Sequence, residues 1–171
     1  MRTTIHLAVL YLDLYLARHP MLQDQLEAVA AAQACLFIAM KFEEIYPPDL
    51  EDWVERRHRQ DVLKLEAAVL KALDYQLAHS TVEHQLALRL WEDGVTTTND
   101  KMELLADLSL FDLNIRQLRP SEVAAGIVGT VRKEGGNEGI VLSLKWMVER
   151  NPESLHWLCD QKYRGLLGTY P

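Results

Sequence analysis

Cysteine is scarce in this chain: Cys35 and Cys159 stand alone among 171 residues, far apart, each inside an apolar helical pattern. Neither has a CxxC neighbour, which excludes a disulfide framework and predicts free, buried thiols in a reducing compartment. Positive charge is short as well. The net charge is −7, and Arg56, Arg57 and Arg59 form a short cluster rather than a basic stripe. No nucleic-acid partner is expected from such a balance. Glycine and proline are few, at 8 and 6 residues, so long regular elements are not interrupted often. No signal-peptide pattern is visible, and Asp13, Gln33 and Lys41 break the apolar runs before they reach membrane-spanning length. A soluble, intracellular protein without a membrane partner is the expectation.

Catalytic constellations are also missing. The six histidines have no metal-ligand spacing, His79 and His84 being five apart, and there is no HExxH, P-loop or GxSxG. Gly135–Gly136 with Gly139 reads as a loop between helices, not a phosphate cradle. Neither enzyme activity nor a metal or cofactor is expected.

What is there is helical period almost everywhere, and no sustained strand alternation. The pattern predicts an all-α protein with helices at about 3–17, 23–44, 48–56, 59–74, 81–92, 100–113, 120–134, 138–149 and 153–166. Breaks fall at Pro20, Pro47–Pro48, Gly94 and Gly135–Gly136. An internal echo accompanies the pattern. "LAVLYLDLYLARHP" from Leu7 precedes a small-residue helix, and "LADLSLFDLNIRQLRP" from Leu105 precedes "SEVAAGIVGTV". A duplicated helical bundle is expected, with domains 1–78 and 79–171.

Three charges sit on the wrong faces. Between Ala28 and Met40 only Gln33 is polar, the mark of a helix at the centre of a bundle. Lys41 then falls beside Ala34, Phe37 and Ile38. Glu66 lies within the apolar arc of Val62, Leu65, Val69 and Leu73, and a carboxylate buried there needs a partner. Asp13, near Val9 and Leu16, reads as a structural buried polar group. Each has a plain explanation: a snorkelling lysine, a glutamate at the edge of its arc, a satisfied core aspartate. Lys41 and Glu66 together point to one shared place, either a structural ion pair or a partner-binding surface. Glu43 and Glu44 add a further oddity, since carboxylates at a helix C-terminus oppose its dipole.

These residues resemble the cyclins. "HLAVLYLDLYL" is similar to the second helix of a cyclin box, "ACLFIAMKFEEIYPPDL" to the third helix and following turn of A- and B-type cyclins, and "VLKLEAAVLKALDYQL" to the fifth. "STVEHQLALRLW" and "LADLSLFDLNIRQLRPSEVAAG" resemble parts of a second cyclin box. The resemblance implies two tandem cyclin-box bundles, the first lacking its first helix. It also implies a regulatory subunit that binds and activates a cyclin-dependent Ser/Thr kinase in cell-cycle control, in the nucleus and/or cytoplasm. By the same correspondence Ile38, Lys41, Phe42, Glu43, Glu66, Leu70, Tyr75 and Leu77 belong to the kinase-facing surface. Glu43 and Glu44 are then expected to meet cations across the interface.

The sequence departs from the family pattern in places. "DLYL" stands for the usual "DRFL", with Leu14 in place of arginine, and the stretch between Pro48 and the Glu66 helix is shorter. Without a first helix, docking of kinase substrates or inhibitors through Arg-x-Leu peptides is expected to be weak. A cyclin-box scaffold that does not bind a kinase, of the transcription-factor kind or a truncated orphan, is the competing reading.

Overall fold

The computed structural model describes residues 2–20, 25–95 and 98–132. Among them the regular structure is entirely helical: α1 (Arg2–Arg18), α2 (Gln25–Glu43), α3 (Leu50–Trp53), α4 (Arg59–Ala72), α5 (Val82–Glu92), α6 (Asp100–Ser109), α7 (Leu113–Arg116) and α8 (Pro120–Arg132). The chain divides into two compact units, Met1–Thr81 and Val82–Pro171. The helices expected at 138–149 and 153–166, and Cys159, lie outside the described residues.

In the first unit α2 packs on both α1 and α4. Its small side chains explain how: Ala30, Ala31, Ala34, Cys35 and Ala39 are buried and bring the neighbouring backbones close. On the α1 side the core holds Leu7, Tyr11, Tyr15, Cys35, Ile38 and Val69. A second cluster joins Ala30 and Ala34 to Leu50, Val54 and Val62. Contrary to the expectation from its breaking residues, α2 is long and apolar enough by length and composition to cross a membrane. Its packing between two helices accounts for the same composition as that of a core helix.

Two expected helices are shorter than their sequence period. The 48–56 segment is helical only at Leu50–Trp53, because Val54 turns extended (φ −111°, ψ 126°). Arg59 makes that early end tolerable, donating from Nε to Val54 O and from its guanidinium to Glu51 O, each at 3.0 Å. The 100–113 segment stops at Ser109 because Asp112 caps a new helix. Its carboxylate accepts from the amides of Asn114 (2.8 Å) and Ile115 (3.3 Å), opening α7.

The second unit starts its helices as expected. Asn99 caps α6 by accepting from Lys101 N at 2.7 Å, and Glu122 in the first turn of α8 accepts from Arg119 N at 3.0 Å. Helix α8 packs on α5 and α6, burying Val123, Ala124, Gly126, Ile127 and Val128.

The two units end a helix in related but unequal ways. After α5, Gly94 takes the left-handed conformation (φ +72°) and Val95 N bonds back to Leu90 O at 2.8 Å. After α4 the same back-bond runs from Tyr75 N to Leu70 O at 3.0 Å, but without a glycine. Asp74 and Tyr75 are both left-handed, at φ 51° and 58°. Aspartate tolerates this region; for an aromatic residue it is an outlier that costs on the order of 1–3 kcal/mol.

Candidate partner-binding site

The last turn of α2 projects Lys41 and Phe42, and the middle of α4 carries Glu66. The ammonium of Lys41 forms an ion pair with the Glu66 carboxylate, and it also stands 4.3 Å from the centroid of the Phe37 ring. The two displaced charges therefore find each other, as their helix faces imply. Burial differs from expectation. The Lys41 side chain is 41% exposed and that of Glu66 13%, so the ammonium meets solvent while the carboxylate is largely covered. With its cation open to water the pair contributes on the order of 1 kcal/mol, and the Phe37 ring beside the ammonium adds roughly 0.5–1 kcal/mol. Fold stability gains little from placing these charges here.

Apolar residues flank the pair. Phe42 is exposed next to Lys41, and beyond the helix end Ile45 and Tyr46 are 87% and 91% exposed. The sequence reading missed Ile45 and Tyr46. Their signal is the double proline that follows, which keeps the preceding residues out of a helix and so off its packed face. On α4, Leu70 lies one turn beyond Glu66 on the same face and is half-buried. In the left-handed turn Tyr75 is 70% exposed, and beyond it Leu77 packs partly against the α1–α2–α4 core.

Three site expectations need correction. Ile38 is not part of this surface: it points with Cys35 and Ala39 into the core, where it is buried. Asp13 is half-buried, not buried. Its charge reaches the Cys35 thiol, which burial first and Asp13 second push up to about 12. Glu44 meets a group of its own chain: the buried Thr4 hydroxyl of α1 donates to Glu44 Oε1 at 2.5 Å, and this bond holds the carboxyl below its ordinary value. Glu43 is half-buried, and its charge helps to raise the Tyr11 hydroxyl, whose shift burial dominates.

Comparison with known proteins shows what the chain is similar to. Residues 1–78 match the family model described as "Cyclin, N-terminal domain". The chain is 34% identical over 135 residues to Cyclin-A3-2 of Oryza sativa subsp. japonica, covering 73% of this chain and 34% of that protein. It is 34% identical over 131 residues to Cyclin-A2 of Gallus gallus (71% and 32% covered), and 32% over 130 residues to G2/mitotic-specific cyclin-A of Patella vulgata (72% and 30%). Residues 1–78 are thus similar to a cyclin N-terminal domain, and the chain as a whole to A- and B-type cyclins. The chain spans about a third of the length of the curated relatives it matches. Its cyclin-box match contains every residue of the Lys41–Glu66 surface and the turn that carries Tyr75.

Proposed function

We infer that this chain is a cyclin-box regulatory subunit, not an enzyme, and that it binds and activates a cyclin-dependent Ser/Thr kinase in cell-cycle control. The observation that carries the reading is the Lys41–Glu66 pair, its ammonium open to solvent, in a unit that also exposes Phe42 beside it, Ile45 and Tyr46 just past the same helix, and Tyr75 past the helix that carries Glu66. A pair that adds little to the fold, in a unit that exposes these aromatic and aliphatic side chains, has the chemistry of a binding surface. Aromatic anchors supply contact area, and charges select partner and register. The family likeness supplies the kind of partner.

Activation follows from differential binding. A kinase whose catalytic Lys–Glu pair is out of place is inactive. A rigid helical face that binds only the form with that pair assembled shifts the population toward activity. Residues 79–171 serve in this reading as a second cyclin box. The deciding experiment presents the purified chain to a panel of purified cyclin-dependent kinases and measures phosphorylation of a generic histone substrate. Activation of at least one kinase by tenfold or more is expected. A chain that binds none and activates none is instead the scaffold of the competing reading.

A further inference from the structure

The strained turn after α4 has no role in covering the core, since Asp74 and Tyr75 are both exposed. A backbone outlier of this kind persists only where its surroundings hold it. Three main-chain bonds close the turn: Asp74 N to Lys71 O (3.1 Å), Tyr75 N to Leu70 O (3.0 Å) and Gln76 N to Leu73 O (3.0 Å). Bonds within the turn alone do not fix where the chain goes next. That is decided by Tyr11, a fully buried residue of α1, whose hydroxyl donates to Leu77 O at 2.7 Å. The Tyr11 ring also meets His79 edge-on at a centroid distance of 6.1 Å. Arg18, at the far end of α1, adds an exposed ion pair to Asp74 at 3.2 Å. The far side of the turn is thus tied to α1 at two points.

We propose that Tyr11 is a positioning residue for partner binding, its hydroxyl holding the Asp74–Tyr75 turn so that Tyr75 is presented as a preset aromatic contact to the kinase. The proposal rests on the kinase-binding reading above. Tyr11 is wholly buried in α1 and contacts the partner only through this turn. Burial keeps its hydroxyl protonated far into alkali, so the donor is present at every working pH. Fixing Tyr75 before encounter removes the ordering cost that a free loop would incur on binding, which improves affinity without a new contact. By its back-bond the α5 end sets Gly94 opposite Asp74 and Val95, which is not left-handed, opposite Tyr75, so the left-handed aromatic belongs to the α4 turn and not to the α5 one.

The test compares Tyr11→Phe with Tyr15→Phe, a hydroxyl deletion one turn along the same helix. Each variant and the wild type is immobilised against the kinase of the panel that the wild type binds best, at a temperature well below its melting point. Backbone shifts and HN–Hα couplings of residues 74 and 75 are recorded on the free chain. Tyr11→Phe should raise koff about three- to tenfold, the effect of losing one net hydrogen bond. It should also move the couplings of residues 74 and 75 away from left-handed values, while Tyr15→Phe leaves both unchanged. Unaltered koff in Tyr11→Phe, or an equal rise in both variants, overturns the positioning role while leaving the kinase reading intact. Couplings that stay left-handed in Tyr11→Phe overturn it too. Failure of the wild type to bind any kinase removes the reading beneath it, and the proposal falls with that.

Discussion

The Thr4 hydroxyl donates to Glu44 Oε1 at 2.5 Å, joining the first turn of α1 to the residue just past the end of α2, forty positions away. This bond explains why a carboxylate stands where the α2 dipole disfavours it. Glu44 is a tie between two helices of the first unit.

The tie has a pH signature. The Glu44 carboxyl is held below its ordinary value of 4.5, chiefly by the Thr4 hydroxyl. A depressed carboxyl stabilises the fold above its unfolded value and loses that contribution as pH falls through its folded value. Thr4→Val, which keeps the shape and deletes the donor, should therefore melt below the wild type at pH 7. The gap should close as the pH is lowered through and beneath 4.5. A gap that stays constant down to pH 3 would show that Glu44 gains nothing from Thr4.

Cys35 gives the opposite limb. Burial lifts its thiol from 9.0 to about 12, and buried Tyr11 and Tyr15 are raised as well. A raised acid contributes stability that is whole below the unfolded value and is lost as pH rises through the folded one. Unfolding stability should fall between about pH 9 and 12, and less steeply in Cys35→Ala. With Cys159 changed to serine, Cys35 should react with a thiol reagent only as fast as the chain opens. Rapid labelling of the native protein at pH 8 contradicts this burial.

The alanines of α2 differ in what they tolerate. Ala34 is fully buried in the cluster with Leu50, Val54 and Val62, whereas Ala32 is half-buried. Ala34→Leu should overpack the core and cost roughly 1–3 kcal/mol, read from denaturant midpoints at constant m. Ala32→Leu should cost clearly less. Equal costs would mean that α2 packs evenly on every side.

These cases show what was legible beforehand. Helical period and capping residues located most elements, and the apolar circle of α2 marked it as a core helix. Lys41 and Glu66 were legible as a pair because each lies off its helix's polar face. Their solvation was not, since a helical wheel gives direction but not how far a helix end extends past its neighbours. That is also why Ile38 seemed available and Asp13 seemed buried. Thr4–Glu44 and Tyr11–Leu77 are links between segments 40 and 66 residues apart, and no local pattern encodes them. The end of α6 was missed for a local reason. The apolar residues of 100–113 run on through Leu110, Phe111 and Leu113, but Asp112 among them prefers to cap the helix that follows it.

The Lys41–Glu66 pair separates a structural role from a binding one. With its ammonium open to water the pair should matter little to the free chain, and Lys41→Ala should lower stability by about 1 kcal/mol. If this face binds a kinase as proposed, the same pair becomes part of a dry surface, where truncating one partner of a desolvated pair costs about 2–5 kcal/mol. Affinity should then fall by about 30-fold or more, at 1.4 kcal/mol per tenfold. A double-mutant cycle with Glu66→Ala should show coupling that is larger in the complex than in the free chain. Lys64, exposed and near Asp61 at 3.7 Å on the same helix, supplies the control: Lys64→Ala should leave affinity unchanged and show no coupling to Glu66. If Lys41→Ala and Glu66→Ala lower the melting temperature by similar amounts and leave kinase binding and activation untouched, the pair is structural. The surface around it would then have lost its main claim to be the kinase-facing side.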